Sequence, residues 1–172
     1  MGTPNAIRDA READCEAIAD IYNEAIAEGR STFETEPRST AEIAQWLASP
    51  EQPVLVAEAG GAVMGWARLS PYSSRACYAG IAEASVYVRA SARGRGLGGA
   101  LAAHLRDHAQ RAGLHKLLGK VFAENAASRA LCSRYGFREV GTHLKHGRID
   151  GRWIDVIVVE LLLDPTTPTW TR

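Results

Sequence analysis

Residues 93–98 read Arg-Gly-Arg-Gly-Leu-Gly, which combines guanidinium charge with a backbone largely free of side chains. Glycines at Gly94, Gly96 and Gly98 would let main-chain N–H groups approach a ligand closely. The flanking Arg93 and Arg95 suit phosphate oxygens. A helix beginning directly after the loop would add the positive end of its dipole. The pattern therefore predicts a binding site for a phosphate or diphosphate group.

Gly94, Gly96 and Gly99 also satisfy the G-x-G-x-x-G fingerprint of dinucleotide-binding proteins. In that fold the strand runs directly into the glycines, and an acidic residue follows about 20 positions later. Here the five residues RASAR precede the first glycine, and Leu114-His115-Lys116 occupy the acidic position. The spacing favours a diphosphate cradle over the dinucleotide fingerprint. The alternative is a glycine-rich turn with solvated arginines.

Such a cradle needs a strand before it and a helix after it, and the flanking sequence predicts both. Glu83–Val88 has the composition of a strand, and Leu97–Gly113 places apolar residues at helical spacing. The other predicted strands are Ala6–Arg8, Val54–Glu58, Val63–Leu69, Leu117–Phe122, Glu139–Leu144 and Trp153–Leu162. The other predicted helices are Arg11–Glu28, Ser39 or Thr40 to Leu47, and Ala126–Tyr135.

This order predicts a mixed α/β fold, because antiparallel strands come first and a strand–helix–strand–helix unit follows. We expect one three-layer domain over residues 1–164, with a central, mostly antiparallel sheet and helices on both faces. The segment KHGRIDGR at 145–152 is predicted to be the loop between the last two strands. Residues 165–172 are expected to form a loose tail.

Composition narrows the functional classes. The 172 residues include 20 basic and 20 acidic side chains, so no global charge favours nucleic acid or a membrane as partner. No signal peptide or membrane-spanning run is apparent. Cys15, Cys77 and Cys132 are odd in number and widely spaced, which suits a reducing compartment. We therefore expect a cytoplasmic protein. His143 and His146 lack a third ligand, so no metal is expected.

Two motifs together resemble the GNAT superfamily of N-acetyltransferases. Arg93–Gly98, after the strand ending VYV, resembles the signature [Q/R]-x-x-G-x-[G/A]. Asn125–Phe137, NAASRALCSRYGF, resembles the second motif N-x-x-S-x-x-L-x-x-x-x-G-F. Within the superfamily, TFETEP, SPYSSRACY, EASVYV and KHG…GRWIDV resemble the phosphinothricin and methionine sulfone or sulfoximine N-acetyltransferases. The resemblance spans essentially the whole chain and implies acetyl-CoA as donor and a homodimer.

The resemblance also implies which residues hold the donor. The strand would offer backbone hydrogen bonds to the pantetheine arm, the glycine loop would bind the diphosphate, and the second motif would add further contacts. These residues are Val86, Tyr87 and Val88; Arg93, Gly94, Arg95, Gly96, Leu97 and Gly98; and Asn125, Ser128 and Arg134. Asn125 is also a good N-cap residue for the helix that follows it.

On the acceptor side, amide formation needs a neutral amine, so a carboxylate that removes a proton would assist. Glu83 matches the family's proposed base, although it could be a surface carboxylate at a strand start. Arg75 and Tyr78 match positions that hold an anionic acceptor group, for which a guanidinium is well shaped. Phe33 would form an apolar wall or belong to the core. The hairpin residues Lys145, His146 and Trp153 match a substrate-side segment or a dimer contact.

One departure from the family concerns the residue after the leucine of the second motif. Many members have Tyr there, and the phosphinothricin type often has His, whereas this chain has Cys132. We therefore assign no acid role to that position. The acceptor expected is a small amino acid or analogue. Alternatives are a protein N-terminus, a polyamine or an aminoglycoside as acceptor, or a non-catalytic acyl-CoA sensor.

Overall fold

A computed structural model describes residues 6–49 and 52–163 of the chain. Its strands are β1 (Ala6–Asp9), β2 (Val54–Ala59), β3 (Ala62–Pro71), β4 (Ile81–Val88), β5 (Lys116–Phe122), β6 (Arg138–Ile149) and β7 (Arg152–Leu162). Its helices are α1 (Cys15–Glu28), α2 (Thr40–Leu47), α3 (Leu97–Arg111) and α4 (Ala126–Arg134). The segment 165–172, predicted to be a loose tail, lies outside the described residues.

The seven strands form one sheet in the order β1-β2-β3-β4-β5-β7-β6. Neighbouring strands are antiparallel except β4 and β5, which run parallel because α3 connects them across the sheet. This arrangement confirms the predicted mixed α/β class with a mostly antiparallel sheet. No helix in the described part of the chain is long and apolar enough to cross a membrane.

Helices cover both faces of the sheet, as predicted. On the face we call the α1 face, Ile18, Ile21 and Ile43 of α1 and α2 pack with Trp66 of β3. On the opposite face, the α3 face, buried leucines of α3 pack on strands β2 to β5. Side chains alternate along β4, so Tyr87 faces α1 while Val86 faces α3. Side chains on the two faces of β4 therefore pack against different helix layers.

The last hairpin differs from its prediction. The segment predicted as a loop, 145–152, is mostly strand: β6 continues to Ile149 and β7 begins at Arg152. The turn is the pair Asp150-Gly151, whose φ values are +48° and +79°. An Asp-Gly pair favours a two-residue hairpin turn, and the other polar and glycine residues obscured that signal. The register also shifts between His143 and Gly147, where Lys145 has a φ of +49°.

The starts of one helix and one strand also differ from their predicted positions, by four and two residues. A short 3-10 turn at Glu12–Asp14 precedes α1, and the Asp14 carboxylate accepts a hydrogen bond from the Arg11 N–H at 2.7 Å. The helix therefore begins at Cys15 rather than Arg11. Strand β4 begins at Ile81, two residues earlier than predicted, which places Glu83 inside the strand. The other predicted boundaries of strands and helices agree with the structure within two residues.

Candidate active site

The sheet opens between β4 and β5. Their parallel pairing joins Ile81–Glu83 to Lys116–Leu118 within the described chain, and beyond it β4 keeps its pairing with β3 alone. Main-chain N–H and C=O groups of β4 that face the opening are then available to a ligand, since unpaired backbone groups need partners. The opening supports the predicted use of the Val86–Val88 backbone.

A cavity of about 400 Å³ fills this opening and continues through the sheet. From the α3 face it is lined by Ala84, Val86 and Leu105, and from the α1 face by Glu83 and Tyr87. Two ligands approaching from opposite faces would therefore meet at the gap between the strands. This geometry suits a transfer reaction between a donor and an acceptor.

The glycine loop forms an open concave surface at the start of α3. Gly94 and Gly96 have φ values of +76° and +83°, a conformation that glycine adopts readily. A Cβ built on either one would meet no atom within 4 Å, so the space above the backbone is free. Gly96 begins α3 without a side-chain cap, which leaves the first helical N–H groups for another acceptor. The loop fits the diphosphate group that the sequence predicted.

The two loop arginines differ in their surroundings. The Arg93 guanidinium pairs with the Glu28 carboxylate at 3.0 Å, and its Nε donates to the Val88 carbonyl at 3.1 Å. Arg93 thus ties the loop to α1 and to the end of β4. Arg95 is exposed beside Gly94 and Gly96. We infer that Arg93 shapes the loop and that Arg95 is the freer of the two to contact an anion.

Asn125 and Ser128 lie where the second motif predicted, at the start of α4. The Asn125 side chain accepts a hydrogen bond from the Ser128 N–H at 3.0 Å, which confirms the N-cap. Both residues line the cavity, whereas Arg134 lies exposed at the end of α4. Cys132 also lines the cavity, and burial raises the pKa of its thiol. The thiol is therefore protonated at neutral pH, which disfavours a nucleophilic role.

Glu83 occupies the last position at which β4 pairs with β5, opposite Leu118. Its carboxylate forms an ion pair with Lys120, with 2.9 Å between Oε2 and Nζ. The side chains of Glu83 and Lys120 are 30% and 53% exposed. The predicted proton acceptor thus lies at the edge of the gap and is already paired with the ammonium of Lys120.

Aromatic side chains line the same cavity on the α1 face. Phe33 packs on Phe122 with 4.7 Å between ring centroids, and its ring lies directly over Gly147. Tyr87 stacks on Trp66 at 4.7 Å, and burial raises the pKa of its hydroxyl, which stays protonated. Phe33 lines the cavity at 37% exposure, as a wall residue would.

Several predicted acceptor-side residues lie outside the cavity lining. Arg75 is exposed at the start of a short 3-10 turn, Ala76–Tyr78, and Tyr78 packs edge-on against Tyr72. On the last hairpin, His146 lines the cavity, while Lys145 and Trp153 are exposed and do not. Within residues 6–49 and 52–163, no group of His, Cys, Asp and Glu is arranged to hold a metal ion.

Lys120, Phe122 and Tyr135 are among the cavity-lining residues that the sequence analysis missed. Lys120 and Phe122 alternate along β5 with the buried Gly119 and Val121, and therefore face the same side as Glu83. That alternation was visible in the sequence, but its use required knowing that β4 and β5 are neighbours. Tyr135 follows α4, and its hydroxyl lies against Gly99, where any side chain would overlap it.

The chain is similar to known acetyltransferases. Residues 7–137 match the family model described as the acetyltransferase (GNAT) family. The chain is 38% identical over 156 residues to phosphinothricin N-acetyltransferase of Streptomyces coelicolor, across 87% of this chain and 91% of that protein.

Two further proteins are similar over almost their whole length. One is the L-methionine sulfoximine/L-methionine sulfone acetyltransferase of Pseudomonas aeruginosa, 37% identical over 165 residues, with 94% of this chain and 96% of that protein covered. The other is the crystal structure of a GNAT superfamily phosphinothricin acetyltransferase from Sinorhizobium meliloti in complex with AcCoA. It matches with a TM-score of 0.90 and 32% identity, over 97% of this chain and 92% of that one.

Proposed function

The chain belongs to the GNAT family of acetyltransferases, and we propose that it acetylates the α-amine of a small amino acid or amino-acid analogue. It is an acetyl-CoA-dependent N-acetyltransferase. One observation carries the proposal: the gap between β4 and β5 joins the glycine-loop side of the sheet to the chamber that holds Glu83. The names of the similar enzymes support phosphinothricin, methionine sulfone or methionine sulfoximine as acceptors.

Three parts of the chain would hold acetyl-CoA. The loop Arg93–Gly98 and the start of α3 would bind the diphosphate, supported by the open space over the glycines. The backbone of Val86–Val88 would bind the pantetheine arm at the gap, supported by the loss of pairing there. Asn125 and Ser128 would add contacts from α4, and Arg134 could reach the cofactor from the same helix.

In the reaction we assign the proton transfer to Glu83. The acceptor arrives as an ammonium, and the carboxylate takes one of its protons, which leaves a neutral amine facing the gap. Backbone N–H groups of β4 that face the gap would stabilise the negative charge developing on the acetyl carbonyl oxygen. The amine nitrogen bonds to the acetyl carbon as the carbon–sulfur bond breaks, and no covalent enzyme intermediate forms. Coenzyme A leaves as the thiolate, which takes up, through water, the second proton that the nitrogen loses on becoming an amide.

The remaining acceptor-side residues are assigned by position. Phe33 would form the apolar wall of the chamber, supported by its contact with Phe122. Arg75 and Tyr78 would hold an anionic group of the acceptor from the loop before β4. Lys145, His146 and Trp153 would approach the acceptor from the last hairpin.

We also propose a homodimeric, cytoplasmic enzyme whose domain spans residues 1–164. The dimer is supported by β6, which is the edge strand of the sheet and exposes Val140 and Leu144, and by the exposed Trp153 of the neighbouring β7. The free thiols of Cys15, Cys77 and Cys132 fit a reducing compartment.

An acceptor screen tests the function. Acetyl-CoA would be mixed with methionine sulfone, methionine sulfoximine, phosphinothricin, a short peptide, spermidine and an aminoglycoside, and the released CoA thiol measured. Like charges brought together cost several kcal/mol, so we expect kcat/KM for the amino-acid analogues to exceed that for spermidine by about 30-fold or more. A peptide or polyamine as best acceptor would assign a different substrate class. Binding of acetyl-CoA with no turnover of any amine would indicate a sensor.

Gly147→Ala tests the assignment of Phe33. A Cβ at this position would overlap the Phe33 ring, so the ring must move from its contact with Phe122. Displacing a packed side chain typically costs about 1–3 kcal/mol, and we expect the acceptor KM to rise by about tenfold. Acetyl-CoA affinity should be unchanged, because the glycine loop lies on the other side of the gap.

Gly141→Ala is the matched control for this change. It adds the same methyl group to the same strand, at a position where a Cβ meets nothing within 4 Å. Steady-state kinetics of the two variants should therefore differ in acceptor KM. Equal values in both variants would remove Phe33 from the acceptor wall.

A further inference from the structure

The cavity lining contains one pair of opposite charges. Among the described residues that line it, Glu83 is the only carboxylate, and Lys120 is the only lysine or arginine. Their charged atoms are 2.9 Å apart. The other lining residues are apolar or neutral polar side chains, with His146 as the one imidazole. The chamber proposed for the acceptor thus has a balanced charge.

The backbone fixes the two members of the pair to different extents. Glu83 stands in the paired part of β4, opposite Leu118, and Lys120 lies two residues further along β5, where the strands have begun to separate. The lysine side chain is 53% exposed and has a flexible four-carbon stem, whereas the glutamate is shorter and 30% exposed. The ammonium of Lys120 can therefore move away from Glu83 while the carboxylate stays in place.

We propose that Lys120 binds the α-carboxylate of the acceptor, an inference that rests on the amino-acid acceptor proposed above. An α-amino acid carries its ammonium and carboxylate on the same carbon. When it enters, its ammonium replaces Lys120 at Glu83, and Lys120 turns to its carboxylate. Two ion pairs then replace one, and the net charge of the chamber is unchanged. Glu83 is left facing the ammonium from which it takes the proton.

The same arrangement discriminates against acceptors that lack a carboxylate. A simple amine would bring its positive charge to Glu83 and leave the ammonium of Lys120 beside it without a partner, so that two like charges would repel each other. Lys120 therefore acts on the α-carboxylate that all amino-acid acceptors share. Arg75, exposed outside the cavity lining, is left to contact the variable far end of the acceptor.

The test compares methionine sulfone with its primary carboxamide in wild type and in Lys120→Met. Both compounds present the same side chain and an α-amine, but the carboxamide carries no negative charge. We expect wild type to prefer the acid in kcat/KM by about tenfold or more, and Lys120→Met to bring the ratio close to one. Lys120→Arg keeps the charge and should retain the preference. Differences in amine basicity are the same for every variant, so a change in the ratio reports contact with the carboxylate.

Lys116→Met is the matched control. Lys116 lies on the same strand and pairs with Glu160 at 3.0 Å, outside the cavity, so its loss also removes a lysine–glutamate ion pair from β5. In this variant, the ratio of kcat/KM for methionine sulfone to kcat/KM for its carboxamide should equal that of wild type. An unchanged ratio in folded Lys120→Met would overturn the assignment of Lys120 while leaving the amino-acid acceptor in place. If wild type acetylates neither of these compounds nor any other amino-acid analogue of the acceptor screen, the proposed acceptor fails, and the assignment of Lys120 fails with it.

Discussion

Glu83→Gln is expected to lower kcat at neutral pH by about 10²-fold or more, the usual contribution of a positioned proton acceptor. The amide has the same shape as the carboxylate and can still accept a hydrogen bond from Lys120, but it cannot take a proton from an ammonium. Activity of the variant should therefore rise with pH as the free amine of the acceptor becomes abundant. Steady-state rates across the pH range measure this, and calorimetric titration should show wild-type affinity for acetyl-CoA.

Glu139→Gln serves as the control for Glu83→Gln. Glu139 pairs with Arg129 at 2.8 Å on the protein surface, so the same chemical change there removes an ion pair outside the cavity. Its kcat and pH profile should match wild type. If Glu83→Gln also keeps both, the ammonium loses its proton to another group or to water, and Glu83 has no part in the chemistry.

The fold could be predicted from sequence where hydrophobic periodicity and stop signals agree. Helix α3 follows from its leucine spacing, and Ser39 with Glu42 caps α2 as the capping-box pattern indicates. The last hairpin could not be predicted as well, because its strands carry glycine and charged residues that also occur in loops. There the pairing with β7 decides the structure, and the local turn signal of Asp150-Gly151 was obscured by the other glycine and polar residues around it.

The candidate site could likewise be predicted only in part from the sequence. The glycine loop was found because its residue types and spacing are characteristic of a short contiguous motif, and Glu83 because its position matches that of the proposed base in the family that the chain resembles. Lys120 could not be found in this manner, since its importance arises from the parallel pairing of β4 with β5 and from the alternation of faces along each strand. The contact of Phe33 with Gly147 joins residues 114 positions apart, and only the folded sheet brings them together.

Gly96→Val is expected to weaken acetyl-CoA binding by about 100-fold or more while the domain remains folded. Gly96 has a φ of +83°, where a β-branched residue is strained, and its Cβ would project into the open space over the loop. A diphosphate bound there would lose hydrogen bonds to main-chain N–H groups. Hydrogen bonds to charged groups contribute about 1.5–3 kcal/mol each, so the loss of two accounts for at least about 100-fold.

Gly113→Val separates this effect from backbone strain. Gly113 follows the other end of α3, has a φ of +75°, and would also place a Cβ where nothing lies within 4 Å. The two variants should therefore lose similar thermal stability, measured as Tm, because each forces valine into the same left-handed conformation. Calorimetric titration with acetyl-CoA should then show wild-type affinity for Gly113→Val and a large loss for Gly96→Val. If folded Gly96→Val binds acetyl-CoA as wild type does, the diphosphate lies elsewhere, and the glycine loop has only a structural role at the start of α3.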